Sequence, residues 1–329
     1  MGRKNPVDPA ARGDGRRGRR SCCRRVPGQA VVGLMALLVA GVASVAQAQD
    51  IEPRMYSNTP VGVNFLIAGY AYTTGAVPFD TSIPITDARL HTSSAVIGYA
   101  RAIGLWGLSG KVDVVVPYSW LEGSALYNGD PVSRVVDGFN DPRFRLSVNL
   151  MGAPALRLKE FAGYRQDIIA GASLAIWAPV GQYDPTRLVN ISSHRWAFKP
   201  EAGVSKTLGR WTVEGAAAVT FYTDNTEFYN GSKRSQDPLY SAQAHVIYGW
   251  RSGIWASADA TYFTGGRSTL NDVLDDDLQQ NWRLGATLAL PVNRLNSVKL
   301  YGSSGVSSRT GNDYDLLGLA WQHRWGGGL

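Results

Sequence analysis

The stretch Asp141-Pro142-Arg143-Phe144-Arg145-Leu146-Ser147-Val148-Asn149-Leu150-Met151 alternates between apolar and polar side chains from Arg143 onward. Successive side chains of an extended strand point to opposite faces, so this pattern predicts a strand with one apolar face and one polar face. Two environments suit such a strand. Either its apolar face meets a protein core and its polar face meets water, or its apolar face meets lipid and its polar face a wet lumen.

The same alternation recurs along the chain and predicts about twelve strands. Their predicted ranges are 61–73, 88–101, 106–120, 142–151, 166–178, 196–206, 211–222, 239–250, 254–263, 280–290, 297–306 and 314–325. Most of these ranges hold ten or more residues. Soluble sheets use strands of about five or six residues, whereas a tilted membrane-spanning strand needs about ten.

The connections between the predicted strands alternate in length. The long ones are 74–87, 121–141, 179–195, 223–238 and 264–279, and the short ones are 102–105, 207–210, 251–253 and 291–295. Long outer loops and tight periplasmic turns are typical of bacterial outer-membrane barrels, which also have an even number of strands. We therefore predict an all-β fold, a transmembrane antiparallel β-barrel of about twelve strands with both termini in the periplasm. The long connection 152–165 departs from the alternation, and a short helix is predicted there between Ala155 and Tyr164.

Aromatic residues recur toward the ends of the predicted strands. They are Trp106, Trp120, Trp211, Phe221, Tyr240, Trp250, Trp282, Trp321 and Trp325. We predict that they form an interfacial aromatic girdle at the two edges of an apolar band. Aromatic side chains that fill a soluble core are the alternative, and their repeated placement at strand ends favours the girdle.

The first 48 residues have the parts of an export signal. A basic cluster lies between Arg16 and Arg25, an apolar run follows from Ala30 to Val45, and Ala46-Gln47-Ala48 is the pattern after which signal peptidase cuts. An uncleaved anchor is the alternative, but the apolar run is shorter than the roughly 20 residues of a membrane span. We predict a removed signal peptide at 1–48, a short N-terminal lead at 49–60, the barrel at 61–325 and a C-terminal tail at 326–329.

Loss of this leader changes the charge of the chain. Residues 1–48 hold nine of the 33 Lys and Arg and two of the 26 Asp and Glu, which leaves 24 basic and 24 acidic residues. A neutral chain gives no support for a nucleic-acid partner. Cys22 and Cys23 also lie in the leader, so the exported chain has no thiol for a disulfide, a metal site or a nucleophile.

The polar strand faces define a predicted lumen lining. It consists of Lys111, Asp113, Arg143, Arg145, Arg195, Lys199, Glu201, Glu214, Gln243, His245, Asp259, Arg283, Lys299 and Arg324. Eight of these residues are basic and four are acidic, a bias that favours anionic solutes such as aromatic carboxylates. The alternative is a set of ion pairs that fills a small barrel and conducts nothing, and a twelve-stranded barrel is compatible with both.

Two loops are candidates for further roles. Loop 179–195 is the best candidate to fold inward as a constriction, and an ordinary surface loop is the alternative. The run Asp275-Asp276-Asp277 suits a divalent cation or a bridge to lipopolysaccharide, but a solvated acidic loop is the favoured interpretation.

Catalysis is a different class of function, and the candidate residues for it are His91 and Ser93. His91 and Ser93 share a strand face two residues apart, but adjacent side chains on one face point in parallel, and no third residue orients them. Metal-ligand clusters, phosphate-binding glycine loops and nucleotide motifs do not occur in the sequence after the leader. We expect no catalysis, no cofactor and no metal.

Several segments resemble one known family. They are Asn64-Phe65-Leu66, Gly69-Tyr70, Asp141-Pro142, Gly152-Ala153-Pro154-Ala155-Leu156, Glu160-Phe161, Pro179-Val180-Gly181-Gln182-Tyr183, Arg195-Trp196-Ala197-Phe198-Lys199-Pro200-Glu201, Gln236-Asp237-Pro238 and Trp321-Gln322-His323-Arg324-Trp325. This family of outer-membrane barrels is named for a meta-cleavage pathway of phenol degradation and is often labelled transporter. The resemblance extends from about Val61 to Trp325, and the run that begins at Arg195 is its most specific part.

The resemblance implies a barrel in the outer membrane of a Gram-negative bacterium that passively admits small aromatic or hydrophobic compounds linked to their degradation. Expected partners are outer-membrane lipid, lipopolysaccharide, the barrel-assembly machinery and the solutes themselves. A non-conducting barrel that acts as a receptor, an adhesin or a structural protein is the alternative, and an outer-membrane lipase is a weaker one.

Overall fold

The computed structural model describes residues 51–76, 85–127, 129–309 and 313–329, so the predicted signal peptide lies outside the described residues. Within these ranges, twelve antiparallel strands form the barrel. They are β1 (Val63–Ala76), β2 (Ile85–Leu105), β3 (Leu108–Tyr127), β5 (Arg143–Met151), β6 (Ile168–Trp177), β7 (Ala197–Leu208), β8 (Trp211–Tyr222), β11 (Leu239–Gly249), β12 (Trp255–Gly265), β15 (Gln279–Pro291), β16 (Asn296–Ser307) and β17 (Tyr314–Gly326). The pairing of β1 with β17 closes the sheet, and the predicted antiparallel barrel is confirmed.

Short turns join the strands at one end of the barrel, here named the turn end, and long loops join them at the other, named the loop end. At the turn end, Trp106 and Gly107 connect β2 to β3 with φ of 51° and 82°. Two positive φ values are those of a type I′ hairpin turn, in which glycine is favoured because it has no Cβ. The first and last strands, β1 and β17, also begin and end here, with Val63 opposite Gly326.

The long connection at the turn end contains the predicted short helix. Helix α1 (Leu158–Phe161) forms a single turn, in which the Phe161 N–H donates to the Arg157 carbonyl at 2.9 Å. No helix in the described ranges is both long enough and apolar enough to cross a membrane.

Apolar side chains point away from the barrel axis and polar ones toward it. In β15, Trp282 and Leu284 are 47% and 49% exposed, whereas Asn281 and Arg283 are fully buried. Strand β5 repeats this pattern, with Phe144, Leu146 and Leu150 exposed on one face and Arg143, Ser147 and Asn149 buried on the other. A soluble sheet would bury its apolar face, so the inverted pattern is that of a barrel in lipid.

The remaining strands lie at the loop end. They are β4 (Asp130–Phe139), β9 (Asn225–Phe228), β10 (Ser232–Gln236), β13 (Ser268–Leu270) and β14 (Val273–Leu274). Strand β3 pairs with β5 through residues 110–115 and with β4 through residues 118–127, so a β3–β4 hairpin extends past the barrel wall. The other four strands form a small sheet from two loops.

Residues 51–60, here named the lumen segment, run inside the barrel before β1 begins. Tyr56 is 3% exposed and packs with Ala153 and Ile169. Glu52 forms ion pairs with two arginines of the barrel wall. The sequence predicted only a short lead here, because these residues have no periodic pattern that would indicate where they pack.

Candidate functional site

Most of the predicted lining residues lie together in the middle of the lumen. The central group is Lys111, Asp113, Arg143, Arg145, Lys199, Glu201, Glu214, Gln243, His245, Asp259 and Lys299. Arg195 and Arg283 are buried nearer the loop end, where their guanidinium groups lie over the rings of Tyr222 and Tyr314 at 4.4 and 3.4 Å.

Arg324 is the exception, and its prediction as a lumen residue is corrected. Its side chain is exposed at the turn end, and its Nε donates to the Arg294 carbonyl at 2.8 Å. Strand alternation assigns a face but not a depth, and Arg324 lies so near the end of β17 that its inward face no longer borders the lumen.

Arg143 and Arg145 form the strongest charge cluster of the wall. They lie two residues apart on the inward face of β5, and Arg145 is directly opposite Asp113 of β3. Asp113 accepts from Arg145 Nε at 2.8 Å and lies 3.4 Å from Arg143 Nη2. One carboxylate of the wall therefore faces two guanidinium groups, which leaves an excess of positive charge.

Glu52 of the lumen segment supplies the second carboxylate. Its Oε1 accepts from Arg143 Nη1 at 2.7 Å, and its Oε2 accepts from Arg145 Nη1. Burial by itself would raise the pKa of Glu52, but the charges of Arg143 and Arg145 and their hydrogen bonds outweigh it and hold the pKa well below its usual value. The two guanidinium groups therefore stabilise the charged form of Glu52.

Other wall residues bind the backbone and ring of the lumen segment. Lys111 Nζ donates to the Met55 carbonyl. The hydroxyl of Tyr56 donates to Glu201 Oε1 at 3.1 Å, while Glu201 Oε2 lies 3.2 Å from Lys199 Nζ. The segment is thus held largely by contacts with side chains of the wall.

The opposite side of the lumen holds a second polar group. The backbone N–H of Arg54 donates to Glu214 Oε2 at 2.6 Å, and Ser205 Oγ donates to Glu214 Oε1 at 2.9 Å. His245 Nδ1 lies 2.7 Å from Asp259 Oδ1, and Ser257 Oγ donates to Asp259 Oδ2 at 3.0 Å. Each buried carboxylate therefore has two polar partners, as burial requires.

Two paired glycines make a slot for the Tyr56 ring. Gly171 of β6 lies directly opposite Gly203 of β7. A Cβ at Gly171 would lie 2.4 Å from Tyr56 Cδ1, and one at Gly203 would lie 2.3 Å from Tyr56 Cε2. Both distances are far below van der Waals contact, so the absence of side chains at these two positions is what admits the ring.

We expect Gly203→Ala to expel the Tyr56 ring and loosen the lumen segment. Overpacking costs about 1–3 kcal/mol, which corresponds to a rise of about 5- to 150-fold in the released population. The measurement is the rate at which a small thiol reagent modifies the cysteine introduced by Ile51→Cys, which has no competing thiol once the leader is removed.

The control for this prediction is Gly215→Ala on the neighbouring strand. A Cβ there would meet its nearest atom, the Gln243 carbonyl oxygen, at an ordinary 3.8 Å. Combining Gly203→Ala with Tyr56→Ala should abolish the difference that Gly203→Ala makes on its own. An unchanged rate in Gly203→Ala alone would show that the ring does not depend on this slot.

A small cavity separates the lumen segment from the wall. It is lined by Glu52, Met55, Tyr56, Arg143, Arg145, Ser173, Ala175, Trp177, Lys199, Glu201, Glu214, Gly215, Ala216, Gln243 and His245. The volume open to the centre of a water molecule is about 20 Å³, room for about one water. An aromatic solute does not fit beside the segment in this arrangement.

Loop 179–195 packs against the inward faces of β2 and β3 at the loop end, and its role as a constriction stays a prediction. Ile191 packs against Leu90 and Leu121, which lie on the inward faces of β2 and β3. Asp141 is 2% exposed and accepts from Gly181 N at 3.1 Å, Ser192 Oγ at 2.6 Å, and Ser193 N and Oγ at 3.0 and 3.1 Å. A single carboxylate thus fixes both ends of the loop.

The acidic run 275–277 is largely satisfied by protein groups. Asp276 Oδ1 lies 3.4 Å from Arg267 Nη2 and 3.0 Å from Arg309 Nη2, and Asp277 accepts from the N–H of Ser268 at 2.7 Å. The described part of the chain contains no group of three or more metal-ligating side chains. Asp275 is 5% exposed, so the run is not solvated throughout as the favoured interpretation requires, and a role in binding a cation or lipopolysaccharide stays a prediction.

The nine predicted girdle residues are all exposed. Trp120, Phe221, Tyr240 and Trp282 lie toward the loop end, while Trp106, Trp211, Trp250, Trp321 and Trp325 lie toward the turn end. Their interfacial role remains a prediction.

His91 is exposed on the outer face of β2, and the Ser93 hydroxyl accepts from the Tyr70 hydroxyl at 2.8 Å.

The contribution of the lumen segment, above all of Glu52, Arg54 and Tyr56, does not follow from the strand pattern of the sequence. Their partners lie 91 to 160 residues away along the chain. The surplus of basic over acidic residues on the inward faces is the signal that could have indicated a carboxylate from another part of the chain, because buried charges need partners.

Comparisons with known proteins agree with this fold. The sequence profile of one family, described as "Putative MetA-pathway of phenol degradation", matches residues 84–322. The chain is similar to the COG4313 outer membrane channel from Pseudomonas putida F1, with a TM-score of 0.69 and 19% identity, covering 84% of this chain and 100% of that chain. It is also similar to the translocator domain of the autotransporter NalP from Neisseria meningitidis, with a TM-score of 0.50 and 10% identity, covering 82% and 90%. No curated protein matches the sequence. At these identities the solved structures show the fold, an outer-membrane β-barrel.

Proposed function

The chain belongs to the phenol-degradation family whose profile spans residues 84–322, and from this premise we propose that it passively admits small aromatic or hydrophobic compounds through the outer membrane. The observation that carries the proposal is the construction of the lumen. The barrel wall is complete without the lumen segment, and the segment obstructs the lumen through side-chain contacts such as those of Glu52 and Tyr56. An obstruction of this kind can move while the wall stays intact.

The substrate class is supported by the family and by the chemistry of the lumen. The family is named for the degradation of phenol, an aromatic compound. The similar structure from Pseudomonas putida F1 is an outer membrane channel by its own description. Trp177, Met55 and Tyr56 line the cavity together with arginine and lysine, a combination that suits an aromatic ring with a polar or anionic group. The proposal includes no catalytic step.

Export and assembly complete the proposal. We propose that residues 1–48 are removed after Ala48, that residues 51–60 of the remaining lead occupy the lumen as the lumen segment, and that residues 326–329 form a short tail. The barrel-assembly machinery would insert the barrel, and the loop end would face outward to lipopolysaccharide. The exposed aromatic rows would mark the two membrane interfaces.

The test is solute influx into vesicles that contain the refolded chain starting at Gln49. The influx rates of benzoate at pH 8, of phenol and of arabinose are each compared with the rate into vesicles without protein. Phenol crosses a plain phospholipid bilayer without a channel. The vesicles used for the phenol measurement therefore carry lipopolysaccharide in the outer leaflet, which slows this background influx. We expect benzoate and phenol to enter about tenfold faster than the protein-free background and faster than arabinose.

Folding is checked in parallel through the heat-dependent shift of the barrel on a detergent gel. Equal influx of all three solutes would indicate a general pore. Influx at the background rate through a folded barrel would contradict the transport proposal.

A further inference from the structure

We propose that Arg143 and Arg145 form a carboxylate-binding site of the lumen, which Glu52 fills until the carboxylate of a small aromatic acid replaces it. This inference rests on the proposed function and names a substrate class for one site within it. The ligand is defined by its chemistry, an aromatic ring that bears a single carboxylate.

The geometry of Glu52 is that of a bound carboxylate. Each of its two oxygens accepts from a different guanidinium group, Oε1 from Arg143 and Oε2 from Arg145. Charge-assisted bonds of this kind are about twice as strong as neutral hydrogen bonds, and guanidinium groups are suited to carboxylates by their planar donors. The two arginines lie on the inward face of one rigid strand, so the site is preformed by the wall.

The positive charge of the wall favours a carboxylate at the position that Glu52 occupies. Arg143, Arg145 and Lys111 lie close together, and the wall carboxylates near them are Asp113, Glu201 and Glu214. With Lys199, which lines the same cavity, these side chains of the wall carry four positive and three negative charges, a net charge of about +1. An anion that replaces Glu52 would restore neutrality, whereas a neutral solute would leave one buried cation undercompensated.

Side chains that suit the ring of an aromatic acid border the site. Glu52, Arg143 and Arg145 share their cavity with Met55, Ala175 and Trp177. Trp177 is 7% exposed and offers an aromatic surface beside the guanidinium groups. The present cavity holds about one water, so a ring can enter only where the Glu52 side chain and its neighbours move out.

The lumen segment is built so that its tip can move while its anchor stays. Tyr56 is held in the slot between Gly171 and Gly203, four residues after Glu52. Residues 51–58 have no strand or helix of their own. Exchange of one carboxylate for another at the arginine pair therefore requires only a local rearrangement of residues 51–55.

The experiment measures benzoate binding to the folded chain starting at Gln49 by equilibrium dialysis, with benzyl alcohol as the neutral probe. In Glu52→Gln the competing carboxylate is absent, so we expect the Kd of benzoate to fall about tenfold or more. In Glu52→Gln/Arg145→Gln this gain should be lost. Lys206→Gln is the control for loss of a cation, because Lys206 is exposed and pairs with Asp167.

A second measurement follows the tip directly. In Ile51→Cys, benzoate should speed modification by a small thiol reagent, and benzyl alcohol should not. The inference is overturned if Glu52→Gln binds benzoate no more tightly than the parent chain, or if benzyl alcohol has the same effect as benzoate. Phenol influx without benzoate binding would support the channel proposal and contradict the carboxylate-binding site. Tight benzoate binding without influx of any solute would support the site and contradict the channel proposal.

Discussion

Deletion of residues 51–60 should raise the influx of benzoate into vesicles by more than about tenfold. The deletion removes the Glu52 carboxylate, the Tyr56 ring and the backbone between them, which together fill the centre of the lumen. The wall should stay closed, because β1 begins at Val63 and pairs with β17 from that residue onward. Influx is measured beside the intact chain at equal protein content, after the gel shift has shown that both are folded.

A reversible tether provides the matched control. A Cβ at Gly285 would lie 2.7 Å from Ile51 Cδ1, so Ile51→Cys and Gly285→Cys bring two sulfur atoms within reach. Oxidation should lower influx below that of the parent chain, and reduction should restore it. If deletion and tether both leave influx unchanged in a folded barrel, solutes do not pass through the lumen.

Asp141→Ala should release loop 179–195 from the mouth of the barrel. The substitution leaves the N–H groups of Gly181 and Ser193 without their acceptor and removes both serine hydroxyl contacts. Loss of an acceptor from buried donors costs about 1–3 kcal/mol for each group. We therefore expect the free energy that holds the loop in place to fall by about 3 kcal/mol. Trypsin cleavage after Arg187, a loop residue, should then become about 100-fold faster.

The control for this prediction is Asp141→Asn, which keeps one carbonyl acceptor and should show an intermediate cleavage rate. Arabinose influx is the functional measurement, because a released loop widens the loop end without touching Arg143 or Glu52. A cleavage rate in Asp141→Ala equal to that of the parent chain would show that the other contacts of the loop, such as the packing of Ile191 and the hydrogen bond from Gln182 N to the Phe139 carbonyl, are sufficient to hold it.

The strands and their faces were predictable because alternation is a local property. The predicted range 280–290 corresponds to Gln279–Pro291 in the structure, and 211–222 coincides with Trp211–Tyr222. Within each strand, one residue of known orientation determines the face of all others, since the period is two. For this reason the sequence alone predicts that Asp259 and Arg283 point inward, and both side chains are buried in the structure.

Depth along the barrel axis was predictable only in part. Arg145 and Arg324 have the same inward parity on their strands, yet Arg145 joins the central cluster and Arg324 is exposed. The stagger of neighbouring strands decides depth, and that stagger depends on pairing between distant segments.

The sequence by itself determined a barrel of long alternating strands, its apolar outside and the positive bias of its inside. Tertiary structure alone decided what fills that inside. Glu52 meets Arg143 and Tyr56 meets Glu201 across 91 and 145 residues, and the Tyr56 slot exists because Gly171 and Gly203 are opposite each other in one register. An irregular segment has no period from which its partners follow, because its position is set by charge and shape that only the closed barrel brings together.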